Sequence, residues 1–135
     1  MNACPPETEE NSPGTSRRVA VLGASANPHR YSHMAIVLLK EKGFPVVPIH
    51  PALEEIQGLP VVKRLADIQH EIHTLTLYVS AKHLPQIIGE IVRLAPRRVI
   101  FNPGTESVET IEALSRSGIE CVEGCTLVML KTGQF

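Results

Sequence analysis

The chain has 135 residues, 43 % of them hydrophobic and 4 % aromatic with no Trp, which suits one domain with an aliphatic core. Thirteen Lys and Arg against fourteen Asp and Glu leave a net charge of −1 and no basic stripe, so nucleic acid is not an expected partner. The longest apolar run, 34–39, is too short to span a bilayer, and the first residues hold acids and prolines where a signal peptide needs a basic start. A cytoplasmic protein with Cys4, Cys121 and Cys125 as reduced thiols is the expectation.

Residues 1–16 contain little to bury and read as a mobile tail, with the folded domain over 17–135. The first strand is Val19–Leu22, apolar throughout, as a strand covered on both faces should be. It runs into the turn Gly23-Ala24-Ser25-Ala26-Asn27-Pro28, and an amphipathic helix follows over 31–42 with Tyr31, Met34, Ala35 and Leu38 at helical spacing. Such a strand–turn–helix unit suits phosphate, because a helix N-terminus offers unpaired backbone N–H donors and the positive end of its dipole. The unit departs from a dinucleotide fingerprint: the second and third glycines of G-x-G-x-x-G fall on Ser25 and Pro28. The ribose-binding acid expected roughly 20 residues or more further on is replaced by Ile49-His50-Pro51.

A second strand is expected over 44–49, weakened by Pro45 and Pro48, and then a connection with a turn at Gln57-Gly58 and a short helix or edge strand near 61–65. The third strand is 74–79. A helix follows with Leu84, Ile87, Ile88, Ile91, Val92 and Ala95 on one face, stopped by Pro96. Strand four is 99–101, ending in the turn Asn102-Pro103-Gly104. The last helix, 107–117, turns Val108, Ile111 and Leu114 inward; strand five is 119–122, and 126–130 is a final apolar segment. Alternating strands and helices predict an α/β doubly wound fold with a five-stranded parallel sheet and helices on both faces, in the order 3-2-1-4-5 or a close variant. Ligands then bind at the carboxyl ends of the strands, beside strand one.

Gly23-Ala24-Ser25-Ala26-Asn27-Pro28, Tyr31-Ser32, Val46-Val47-Pro48-Ile49-His50-Pro51, Asn102-Pro103-Gly104 and Gly124-Cys125, in this order, resemble the small stand-alone CoA-binding proteins of Rossmann-like fold. A similar module opens the succinyl-CoA synthetase α subunit. The resemblance implies that Gly23, Ala24 and Ser25 touch the pyrophosphate of coenzyme A. It implies that Asn27, Pro28, Arg30, Tyr31 and Ser32 shape the adjoining loop and helix start. His50 and Pro51 would border the adenosine, with Val79 and Ser80 beside it, and Asn102, Pro103 and Gly104 would line the far wall. His50 stands where such proteins often have Asn, and Thr126 follows Cys125 where Pro is common. Arg30 is the natural charged partner of a phosphate, with Arg17, Arg18 and Lys82 less well placed.

The competing structural readings are specific. Tyr31 reads as the first core contact of its helix, and His50 as either a ligand contact or a cap on the sheet edge. His29 and His33 share a helical spacing but have no third ligand, so no metal site is expected. Glu106, Glu109 and Glu112 read as a wet helix face. Cys125 reads as a small buried side chain or as a thiol at the cleft able to form a mixed disulfide with CoA. The expected function is binding of coenzyme A or a short acyl-CoA, non-catalytic or regulatory. No nucleophile–base pair stands at the strand ends and Ser25 lacks the G-x-S-x-G context of a hydrolase, so no catalytic residue is assigned; the ligase relatives use a phosphorylated His in a second domain, and ligase activity is expected to need another subunit. The alternatives are an NAD(P)-binding oxidoreductase or redox sensor on the same fold, and a protein-interaction subunit. A homodimer is compatible with so small a sheet domain.

Overall fold

The structure, a computed structural model, describes residues 17–135; the tail expected over 1–16, with Cys4, lies outside the described residues. The elements are β1 (Val19–Leu22), α1 (Tyr31–Glu41), β2 (Val46–Ile49), β3 (Glu55–Ile56), β4 (Leu59–Pro60), β5 (Thr74–Leu77), α2 (Ile88–Leu94), β6 (Arg98–Phe101), α3 (Val108–Arg116), β7 (Glu120–Glu123) and α4 (Thr126–Lys131). Short 3-10 segments occupy Leu65–Asp67 and Ala81–Ile87. Five strands form a parallel sheet in the order β2-β1-β5-β6-β7. The third long strand therefore lies beside the first, not outside the second as the order 3-2-1-4-5 has it. The chain reverses direction across the sheet between β1 and β5, and the crevice opens there, still beside β1.

Period-two alternation divides the core. Val19 and Val21 of β1 face one layer with Ile36 and Leu39 of α1 and Leu130 of α4. Ala20 faces the other with Leu84, Ile91 of α2, Phe101 and Leu114 of α3. Helices thus cover both faces, α1 packing on α4 and α2 on α3. Among the described residues no helix is long and apolar enough to cross a membrane.

Pro48 is tolerated in β2 because this strand is an edge. Ile49 accepts from Ala24 N–H on the β1 side, whereas Pro48 turns its carbonyl outward to Val62 N–H at 3.0 Å. The missing N–H of Pro48 thus falls where the sheet needs no donor. β2 begins at Val46, two residues later than expected. The expected turn at Gln57-Gly58 is present, with both residues at positive φ, and it joins the two-stranded hairpin β3–β4.

Three helix readings are corrected. In α1 the buried residues are Ser32, His33, Ala35, Ile36 and Leu39, while Tyr31 is 69 % exposed and Met34 faces solvent. Tyr31 is therefore not a core contact. The helix expected around Leu84–Ala95 is split, because Pro85 lacks the N–H that an α-helix interior needs; 81–87 is 3-10, and Val92 and Ala95 are exposed. In α3, Val108 is 73 % exposed and Thr110 takes the buried place, its N–H held by the Ser107 hydroxyl cap. The segment after Cys125 is the helix α4.

Candidate functional site

The site begins at the end of β1. Gly23 has φ +89°, and a Cβ built on it would lie 2.6 Å from the Tyr78 carbonyl oxygen. Only glycine lets the β1 and β5 ends approach this closely, which opens the crevice mouth at the reversal point. The loop that follows is held by its own side chains. Ser25 Oγ accepts from Asn27 N–H and Asn27 Oδ1 accepts from His29 N–H, each at 3.0 Å. Ser25 O lies 2.7 Å from His33 Nδ1, and Gln57 Nε2 lies 3.0 Å from His33 Nε2. With Nδ1–H donating to the carbonyl and Nε2 accepting from the amide, His33 ties the loop to the β3–β4 hairpin. His33 is thereby occupied, and His29 is exposed on the loop.

Arg30 is the N-cap residue of α1, but no side chain caps the helix, and its first turn holds no acid. The first N–H groups of a helix lie beyond its intrahelical ladder, and the first residues of α1, Tyr31 and Ser32, line the crevice. A cleft of about 490 Å³ opens there, lined by Gly23, Ala24, Ser25, Arg30, Tyr31 and Ser32 from the first turn. His50 borders it from β2, Tyr78, Val79 and Ser80 from β5, and Pro103, Gly104 and Thr105 from the turn after β6. Four strand ends thus contribute to one cavity.

The remaining expected residues are elsewhere. Asn27 shapes the loop without lining the cleft, and Pro28 borders an apolar groove between α1 and α4. Pro51 lines a neighbouring cavity that shares Gly23, His50 and Val79 with the cleft. Asn102 is buried beneath the turn: its Nδ2 donates to Thr76 Oγ1 at 2.7 Å and to Leu77 O at 2.8 Å, and its Oδ1 accepts from Thr126 N–H at 2.8 Å. It is a brace between β5, β6 and α4, so its side chain does not form the far wall. Cys125 is the half-buried N-cap residue of α4 and is not part of the cleft lining. Cys121 is half-buried against the core, and burial pushes its thiol pKa up.

His50 does cap the sheet edge. Its Nδ1 accepts from both Ala52 N–H and Leu53 N–H at 3.0 Å, which puts the proton of the neutral ring on Nε2. The same residue borders the cleft. Tyr78 and Thr105 are cleft residues that the sequence reading passed over. Tyr78 counted as the interior of a strand, whereas β5 ends at Leu77. Its hydroxyl is buried without a well-formed hydrogen bond; burial pushes its pKa up to about 12, against a smaller opposing effect of the Thr126 and Thr76 hydroxyls. Thr105 directly follows Gly104, and its hydroxyl donates to Asn102 O at 2.7 Å.

Comparison with known proteins agrees with this architecture. The sequence profile of the CoA binding domain matches residues 17–131, and the chain belongs to that family of CoA-binding domains. The crystal structure of an uncharacterised protein is similar with a TM-score of 0.83 at 38 % identity, over 88 % of this chain and 98 % of that one. A protein from Thermus thermophilus gives 0.82 at 28 % identity, over 88 % and 90 % of the two chains. The uncharacterised protein YneT of Bacillus subtilis is 26 % identical over 103 residues, 76 % of each chain.

Proposed function

We propose that this protein binds coenzyme A, or a short acyl-CoA, in the cleft at the carboxyl ends of β1, β2, β5 and β6, and serves as a regulatory module rather than a catalyst. The observation that carries the reading is the uncapped N-terminus of α1 facing a cleft with Ser25, Arg30 and Ser32 on its wall. Unpaired amides, hydroxyls and a guanidinium together suit a pyrophosphate. Family membership supports CoA over other nucleotides. The absence of an acid from the end of β2, where His50 and Pro51 stand, suits a phosphorylated ribose. The non-catalytic reading is supported by how the lining groups are used. His50 Nδ1 is committed to two backbone amides, and among the described residues no cleft hydroxyl is hydrogen-bonded to a histidine or carboxylate.

Thermal shift with CoA, acetyl-CoA, NAD, NADP and ATP tests this, since a ligand that binds the folded state raises Tm by mass action. The expected result is a shift with CoA and acetyl-CoA that Arg30→Ala reduces. Arg30 is exposed, so its loss leaves the fold intact; a Gly23 variant is unsuitable because its side chain would strike the Tyr78 backbone. A shift with NAD or NADP alone would replace the reading with that of an oxidoreductase or redox sensor.

A further inference from the structure

The amino ends of the strands form a second concave surface, at the far end of the sheet from the cleft. Arg17 precedes β1, His73 precedes β5 and Arg97 precedes β6, so the strand order places His73 between the two arginines. Backbone bonds fix this arrangement. His73 N–H donates to Arg18 O at 2.9 Å, and Arg97 N–H donates to His73 O at 3.1 Å. A cavity of about 440 Å³ opens there, lined by Arg17, Glu71, Ile72, His73, Ala95 and Arg97.

Positive charge collects at this cavity without a contacting acidic side chain. The ion pairs among the described residues are Lys63–Glu54 and Arg64–Glu90, so no Asp or Glu pairs with Arg17, Arg97 or Arg98 there. Arg98 Nε donates to Thr74 Oγ1 at 2.8 Å, and Arg17 Nη1 and Arg98 Nη2 share Phe135 O, each at 3.3 Å. Arg17 Nε is buried and meets no acceptor among the described residues, and neither does the exposed Arg97 side chain. The nearby acids are Glu71, exposed in the lining, and Glu120 of β7. Burial, then Arg98, Arg17 and Arg97, hold the His73 pKa below its ordinary value against a smaller effect of Glu120, so the field at the imidazole is positive.

We propose that this cavity is a ligand site of its own, for a compact oxyanion of two or more negative charges, a phosphate or a polycarboxylate, held between Arg17 and Arg97 over His73. The inference does not depend on the CoA reading. Guanidinium forks suit the oxygens of carboxylates and phosphates alike. Arg97, exposed and without an acceptor, is free to close on the anion. Glu71 in the same lining repels an extended polyanion, which limits the ligand to a compact one and leaves CoA to the cleft. The bound anion offsets the repulsion among the gathered cations and so stabilises the fold by mass action. Negative charge beside the imidazole also favours its protonated form.

NMR titration of the full chain with sodium pyrophosphate and, separately, with sodium citrate tests this, with ionic strength held constant by sodium chloride. The expected result is saturable shifts of the Ile72, His73 and Arg97 amides with at least one anion, and a His73 ring that titrates at higher pH in its presence. The anion that binds more tightly assigns the class of ligand, phosphate or carboxylate. Arg97→Gln should weaken that binding about tenfold, the size of one charge-assisted contact, with Tm confirming the fold. Shifts that fail to saturate, an unaltered His73 titration, or wild-type affinity in Arg97→Gln would each overturn the inference. Shifts confined to Gly23, Ala24 and Ser25 would overturn it as well and leave the CoA reading standing.

Discussion

Asn102 shows how one side chain can support a cleft without lining it. The carboxamide satisfies Thr76 Oγ1, Leu77 O and Thr126 N–H in a fully buried position, where each unmatched polar group costs a desolvation penalty. Asn102→Ala should therefore destabilise the fold by about 2–3 kcal/mol, read as a lower urea midpoint. A residue of the cleft wall alone would leave stability unchanged on truncation. The motif Asn102-Pro103-Gly104 was legible as a turn at the right strand end. The direction of the Asn102 side chain was not, because it depends on Thr76 and Thr126, which are distant in sequence. Gly23 was legible more fully: its strand-end position called for a tight turn, and the contact a Cβ would make with the Tyr78 carbonyl supplies the physical reason.

At the scale of elements, local chemistry explains both the successes and the corrections. Apolar residues in sequence marked Val19–Leu22 and Thr74–Leu77 because strands buried on both faces are apolar or Thr-rich throughout. The faces of the helices were harder to read. Tyr31 and Met34 are largely apolar yet exposed on α1, while Ser32 and His33 are buried, His33 because the loop and hairpin offer its ring hydrogen-bond partners. Pro85 shortened the second long helix from within. That helix ends at Ala95 in the left-handed region (φ 54°, ψ 51°), an exposed position where a Cβ is unfavourable. Ala95→Gly should raise stability by about 0.5–1 kcal/mol in urea unfolding. Strand order was the least legible feature at this scale. Hydrophobic runs identify strands but do not name their neighbours, so the placement of β5 beside β1 emerges only from the pairing of Val19–Leu22 with Thr74–Leu77.

Across the whole molecule the two ends of the sheet have different tasks. The carboxyl end carries the clefts. The opposite end gathers Arg17, Arg97 and Arg98 around His73, with Arg98 stacked 4.5 Å from the centre of the Phe135 ring. Burial, then Arg98, Arg17 and Arg97, push the His73 pKa below its ordinary 6.5, against a smaller effect of Glu120. Well above pH 6.5 the ring is neutral in the folded and unfolded chains alike. As pH falls below 6.5 the unfolded chain takes up the proton first, so stability is lost progressively toward the lower folded pKa. His73→Gln should flatten the stability profile in that window, measured by urea unfolding at a series of pH values. Ligand binding at the other end should not respond to this substitution. The most direct test of the account is therefore a two-dimensional ¹H–¹⁵N NMR titration of the protein with coenzyme A. The account predicts saturable shifts at Gly23, Ala24, Ser25, Ser32, Val79, Gly104 and Thr105, with His73 and Arg97 unmoved. No shift with saturating CoA, or shifts confined to the His73 end, would contradict it.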